Sequence, residues 1–311
     1  MFKRLVKKVL RSVFQGQFNE VVQSQVGAVS DRINYLDFEV SNINRMLREL
    51  AADRDIQSRS ASQTTSSFDY QWKNLPSDRD LLSNPEFRAT VSKNVCQFTG
   101  LSEDWFKGKR VLDAGCGNGR FSYGMAMMGA QVTAFDFSEG GVANLQREAK
   151  EASLSIDIFR HNILQPLPIT EQFDLVWSFG VLHHTGNTHR AFVNIAPHVK
   201  DDGLMFLMIY GEPRQNHPED YTELYHYERL RRKVRNLSFE DAIQVLREDP
   251  IVESDKVHGW FDAVSPFIND LHSFEELSGW LRHAGFVDIH KTLESRNLFI
   301  VARKAAVTAA S

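Results

Sequence analysis

Between Arg110 and Tyr210 the chain alternates short apolar runs with amphipathic stretches. Five runs read as strands: 110–114, 131–135, 156–160, 173–178 and 203–210. Strand runs separated by helix-like segments predict a parallel sheet with helices on both faces. Asp201-Asp202-Gly203 is expected as a turn leading into the apolar Leu204 to Ile209. Ser273-Phe274-Glu275-Glu276 has the form of a capping box, opening a helix that ends near Ala284-Gly285. Phe286 to Lys291 and Asn297 to Ala302 predict a closing antiparallel pair. The expected fold class is α/β: a doubly wound, mostly parallel sheet with an antiparallel last strand.

Upstream the period changes. Val26, Ile33, Val40 and Leu47 share one heptad position, and Val22, Val29, Leu36, Ile43 and Leu50 the other. An apolar spacing that alternates four and three predicts a coiled coil over 15–50, and with it self-association. Before it, residues 1–14 form a basic amphipathic helix. Phe2, Leu5, Val6, Val9, Leu10 and Val13 lie on one side, with Lys3, Arg4, Lys7, Lys8 and Arg11 on the other. That make-up suits peripheral contact with an anionic membrane, or docking on the protein's own surface. Residues 51–67 are small and polar and are expected to be a flexible linker. A globular domain then spans 68–304, with an insertion at 211–270 and a tail at 305–311.

Charge sharpens this division. Residues 1–50 hold 8 Lys and Arg against 5 Asp and Glu, a net of +3, whereas the whole chain is −4, so the remainder carries −7. An acidic body argues against a large nucleic-acid surface. The two cysteines, Cys96 and Cys116, are far apart and follow no metal-ligand spacing, so neither a disulfide framework nor a metal is expected. No apolar run approaches the roughly 20 residues of a membrane span. A cytoplasmic location follows, with the option of peripheral attachment to the inner face of the membrane.

Chemistry concentrates after the first strand. Val111-Leu112-Asp113-Ala114-Gly115-Cys116-Gly117-Asn118-Gly119-Arg120 is an apolar strand end, an acid and three glycines at alternate positions. Glycine serves a turn where the backbone must bend tightly and come close to a ligand. Strand, glycine loop and helix together form a nucleotide-type pocket at a strand's carboxyl end. The G-x-G-x-G spacing, with Asp two residues before the first glycine, resembles motif I of the class I S-adenosylmethionine (SAM)-dependent methyltransferases. Val132 to Asp136 resembles the family's second strand, ending in an acid. Phe173 to His184 resembles its fourth strand and following loop. The likeness covers about 110–210 and 273–304.

The resemblance implies a Rossmann-like fold and SAM as cofactor. It places backbone at Gly115, Gly117, Asn118 and Gly119 against the ligand, and Asp113 near its ammonium. It gives the ribose hydroxyls to Asp136, the adenine to Phe137, Asn162 and Ile163, and the methionine end to carbonyls of Ser178 and Phe179. Trp72, in the aromatic segment Phe68-Asp69-Tyr70-Gln71-Trp72, resembles a segment that folds over the pocket in some relatives. The insertion is implied to carry the substrate lid. Its Arg229, Arg231, Arg232, Lys233 and Arg235 are either a solvated helix end or a phosphate site. A hydroxyl acceptor benefits from a general base; His183, His184, His258 and Tyr221 are the candidates, with His184 preferred. The implied activity is methyl transfer to an oxygen or nitrogen of a small-molecule or lipid-linked glycan acceptor, at or near a membrane surface. RNA methylation and a non-catalytic SAM-binding scaffold are the alternatives.

Overall fold

The computed structural model describes residues 54–75 and 84–306, together with Arg32, Ile33, Leu36 and Val40. The expected basic helix 1–14 and most of the expected coiled coil 15–50 lie outside the described residues. Within the heptad region Ile33, Leu36 and Val40 are helical and more than half exposed.

Seven strands make one sheet: β1 (Arg110–Ala114), β2 (Gln131–Asp136), β3 (Ile156–Arg160), β4 (Phe173–Phe179), β5 (Val199–Ile209), β6 (Phe286–Lys291) and β7 (Leu298–Lys304). Their order is β3-β2-β1-β4-β5-β7-β6. The first five run parallel, and β7 pairs antiparallel with both β5 and β6. The order reverses at β1, so the cleft opens beyond the carboxyl ends of β1 and β4, where such sheets bind ligands. Apolar clusters fill both faces. Leu112, Phe173, Phe192 and Leu281 belong to one, and Val111, Met125, Trp177 and Phe206 to the other. The central strands therefore read as continuous apolar runs, as double-sided burial requires.

The strands fall where the apolar runs place them, with one difference. Asp201 and Asp202 are not a turn before β5 but part of it, because a register shift against β4 absorbs them. Asp202 takes φ +58°. Arg303 pairs with both Asp202 and Asp288, holding the irregular edge.

The helices α1 (Arg54–Asn74), α2 (Pro85–Thr99), α3 (Arg120–Met127), α4 (Glu139–Glu151), α5 (Thr188–Ile195), α6 (Pro218–Val234), α7 (Phe239–Glu248), α8 (Val257–Val264) and α9 (Phe274–His283) complete the described structure. Ser273 caps α9 by accepting from Glu276 N, as the capping box requires. In the insertion, Pro213–Leu230 belongs to a different compact unit from Asp53–Glu212 and Arg231–Ser311.

The expected flexible linker 51–67 is helical from Arg54 onward. Its small polar side chains have partners distant in sequence. Gln63 donates to Ser265 O at 2.9 Å and accepts from Phe267 N. Thr64 accepts from Ile268 N, and Ser67 donates to Ser265 Oγ at 2.8 Å. The composition that reads as a linker is thus a polar docking edge, with Thr64 and Ser67 buried. The aromatic half of α1 packs too: Tyr70 lies 5.1 Å from Phe239 and 6.2 Å from Phe261 by ring centroids.

Candidate active site

The loop after β1 carries three left-handed glycines at alternate positions, Gly115, Gly117 and Gly119, at φ +85°, +54° and +85°. Conformation alone favours glycine there. Space also demands it, for a reason the sequence does not suggest. A Cβ on Gly115 would sit 2.5 Å from the Val181 methyls, and one on Gly117 2.9 Å from the Trp72 ring. One on Gly119 would run into Leu145. The glycines admit the side chains of Val181, Trp72 and Leu145 close against the loop.

The loop borders a cavity of about 500 Å³ at the carboxyl ends of β1, β2, β4 and β5. Asp113, Gly115, Gly117 and Asn118 line it, with Asp136, Phe137, Asn162 and Ile163 on one side and Phe179, Val181 and His184 on another. Phe68 and Trp72 of α1 line it as well.

Asp136 is held by the backbone. Its Oδ2 accepts from Gly117 N at 2.9 Å and its Oδ1 from Ser138 N at 2.7 Å. Each oxygen retains a lone pair for a hydroxyl in the cavity. Withdrawal from water pushes its carboxyl up, and the bonds from Ser138 and Gly117 oppose this. Asp113 is buried and accepts from Ser122 Oγ at 2.6 Å. Burial pushes its carboxyl up to about 7, against the Ser122 bond and with the Asp136 charge adding to the rise. Two acids facing one cavity favour a cationic guest.

Phe137 leaves 43% of its surface exposed, and Arg160 steadies it. The Arg160 guanidinium lies 5.1 Å from the ring centroid, and its Nε donates to Phe137 O at 2.9 Å. Asn162 Oδ1 accepts from Leu164 N, so part of its acceptor capacity is used locally.

His184 is buried against the cavity. Its Nδ1 meets Ile268 O at 2.9 Å, which makes Nδ1 the protonated nitrogen, since a carbonyl only accepts. Nε2 is then a lone pair, and it is buried without a partner. Burial lowers the His184 pKa to about 4, opposed by the Ile268 bond, so the ring is neutral at physiological pH. Phe68 contacts it edge-on at 4.9 Å.

The remaining expected residues lie elsewhere. Gly119 caps α3 behind the loop. Ser178 does not line the cavity; its Oγ donates to Ala114 O, tying β4 to β1. His183 is fully buried behind His184, its ring 4.1 Å from that of Tyr210. His258, on α8, does not line the cavity, and Tyr221 lies on α6 in Pro213–Leu230. Of the basic run, Arg231 donates to Ala263 O, Lys233 pairs with Asp249, and Arg235 lies over Phe267. Sequence reasoning missed Ala61, Thr64 and Thr65 of α1, Arg120 and Phe121 of α3, Met208 of β5 and Asp262 of α8. The spacing of Phe68 and Trp72, one helical turn apart, was the available signal for α1.

A reversing parallel sheet, a three-glycine loop after β1 and an acid ending β2 define the class I methyltransferase fold. More particularly, residues 111–203 match the family model described as a methyltransferase domain. A ubiquinone biosynthesis O-methyltransferase of Maricaulis maris is 37% identical over 125 residues, 39% of this chain and 49% of that protein. Its namesake in Agrobacterium fabrum is 32% identical over 126 residues, 40% of this chain and 50% of that protein. The chain thus spans about half the length of these curated relatives. An O-methyltransferase family protein from Burkholderia thailandensis shares the fold, with a TM-score of 0.51 at 14% identity, covering 88% of this chain and 72% of that one.

Proposed function

We propose that the chain is a SAM-dependent methyltransferase acting on an oxygen of a small-molecule acceptor. One observation carries the reading: the glycine loop, Asp113, Asp136 and His184 all line a single cavity. The curated relatives, named O-methyltransferases, support oxygen as the acceptor atom.

The residues fit SAM by their donor chemistry. Asp136 would hold the ribose hydroxyls with its remaining lone pairs, and Phe137 would flank the adenine beside Asn162 and Ile163. Asp113 would attract the ammonium. Bound SAM supplies an electrophilic methyl on a sulfonium. The protein's share is alignment of the acceptor and exclusion of water. Phe68 and Trp72 wall the cavity against solvent. Burial keeps His184 neutral and Ile268 orients it, so its Nε2 would take the acceptor's hydroxyl proton.

Presentation of the acceptor at a membrane, as a lipid-linked saccharide or another amphiphile, rests on residues 1–14. Among the described residues no helix is long and apolar enough to cross a membrane.

The test is transfer of a labelled methyl from SAM into fractionated extract of the source cells. Label in a small-molecule or lipid fraction supports the reading. Label in RNA overturns the acceptor, and SAM binding without transfer to any fraction overturns the activity. Substituting His184→Ala lowers transfer about 100-fold or more with SAM affinity unchanged if the ring is the base; unaltered turnover excludes it.

A further inference from the structure

Arg120 has no place in the scheme above. It is the first residue of α3 and lines the cavity, where it is the one Lys or Arg among the described lining residues. Its guanidinium lies 4.9 Å from the Phe121 ring centroid and 5.4 Å from that of Phe179. Among the described residues no hydrogen bond or ion pair reaches it; only its backbone N–H is engaged, by Asn118 Oδ1.

Stacking uses the face of a guanidinium and leaves its in-plane N–H donors free. The two rings therefore hold Arg120 in place without satisfying it. A planar, pre-oriented fork of donors matches the paired oxygens of a carboxylate or phosphate. The Arg120 charge acts on Asp113 through space, but the hydrogen bond to Asp113 comes from Ser122, so the guanidinium donors stay available.

Position sets this cation apart from the groups that fit SAM's ribose and adenine. Asp136 ends β2 and Phe137 follows it, while Asn162 and Ile163 come after β3. Arg120, Phe121, Phe179 and Met208 form a different stretch of wall, toward β4 and β5. We propose that Arg120 binds an oxyanion, a carboxylate or phosphate, carried by the methyl acceptor. The acceptor is then an anion, with its apolar part against Phe121, Phe179 and Met208. This rests on the methyltransferase reading of the cavity.

The experiment titrates benzoate, phenyl phosphate and neutral benzamide into the full chain saturated with S-adenosylhomocysteine, read by calorimetry. At least one anion should bind about tenfold or more tightly than benzamide, the size of one charge-assisted hydrogen bond. Arg120→Gln should abolish the preference, and Arg120→Lys should keep part of it. S-adenosylhomocysteine affinity should stay within about twofold in both variants, which also verifies that they fold. Equal binding of anion and amide to the unsubstituted chain overturns the proposal, as does a preference that survives Arg120→Gln. Loss of S-adenosylhomocysteine binding in a folded Arg120→Gln also overturns it, by assigning the guanidinium to the cofactor's own carboxylate. If the unsubstituted chain does not bind S-adenosylhomocysteine, the methyltransferase reading fails, and the same titrations on the free protein still decide the role of Arg120.

Discussion

Asp113 and Asp136 sit side by side in function but respond differently to substitution. Asp136→Ala removes the two acceptors expected to hold the ribose, each worth a charge-assisted hydrogen bond. SAM affinity should fall by about 100-fold or more. The variant also orphans Gly117 N and Ser138 N, so calorimetry should be paired with a thermal melt showing that the domain still folds. Unchanged affinity would refute the ribose role. For Asp113 the folded carboxyl titrates near 7 against an ordinary 3.8. The folded state therefore holds its proton more tightly than the unfolded state. Stability is fully present below about 4 and is lost as pH rises through about 7, at no more than about 1.4 kcal/mol per pH unit. Urea unfolding of the ligand-free protein between these pH values checks the slope. Asp113→Asn should flatten it; an unaltered slope would place the responsible group elsewhere.

Among the elements, α1 departs furthest from its sequence. A row of Ser, Thr and Gln promises nothing to bury, and so reads as unstructured. It folds because Gln63, Thr64 and Ser67 find the backbone and hydroxyl of 265–268, while Trp72 closes over Gly117. At its other end Asp69 accepts from Ser138 Oγ and Gly140 N, the residues that begin α4. The helix is thereby pinned to both sides of the cavity it lines. Thr64→Val leaves Ile268 N without its partner and should cost about 1–3 kcal/mol. Hydrogen exchange of residues 54–75 should quicken, and SAM affinity should weaken with it. Full protection in the variant would mean that these bonds do not hold α1.

For the whole molecule, the unresolved choice is between a lone catalytic domain and one assembled through its N-terminal segment. Ile33, Leu36 and Val40 are exposed, and we propose that this heptad face meets another chain. Deleting residues 1–50 should lower the number of subunits per particle in light scattering. A constant number would reject the coiled coil as the means of assembly.

The parallel sheet was legible in the sequence. Double-sided burial writes itself as apolar runs such as Leu175-Val176-Trp177, and left-handed turns write themselves as glycine. These are local signals, set by each residue's own backbone and surroundings. They sufficed for the strand positions, the glycine loop and the acids beside it. Only the tertiary structure decided which polar residues face the cavity. His184 and His183 are adjacent in sequence, yet one lines the wall and the other is buried away from it. Arg120 reads as an ordinary helix residue until its guanidinium is seen against the rings of Phe121 and Phe179. The polar half of α1 reads as linker until its partners, about two hundred residues away, are in place. Such roles depend on contacts between distant segments, and no local pattern records them.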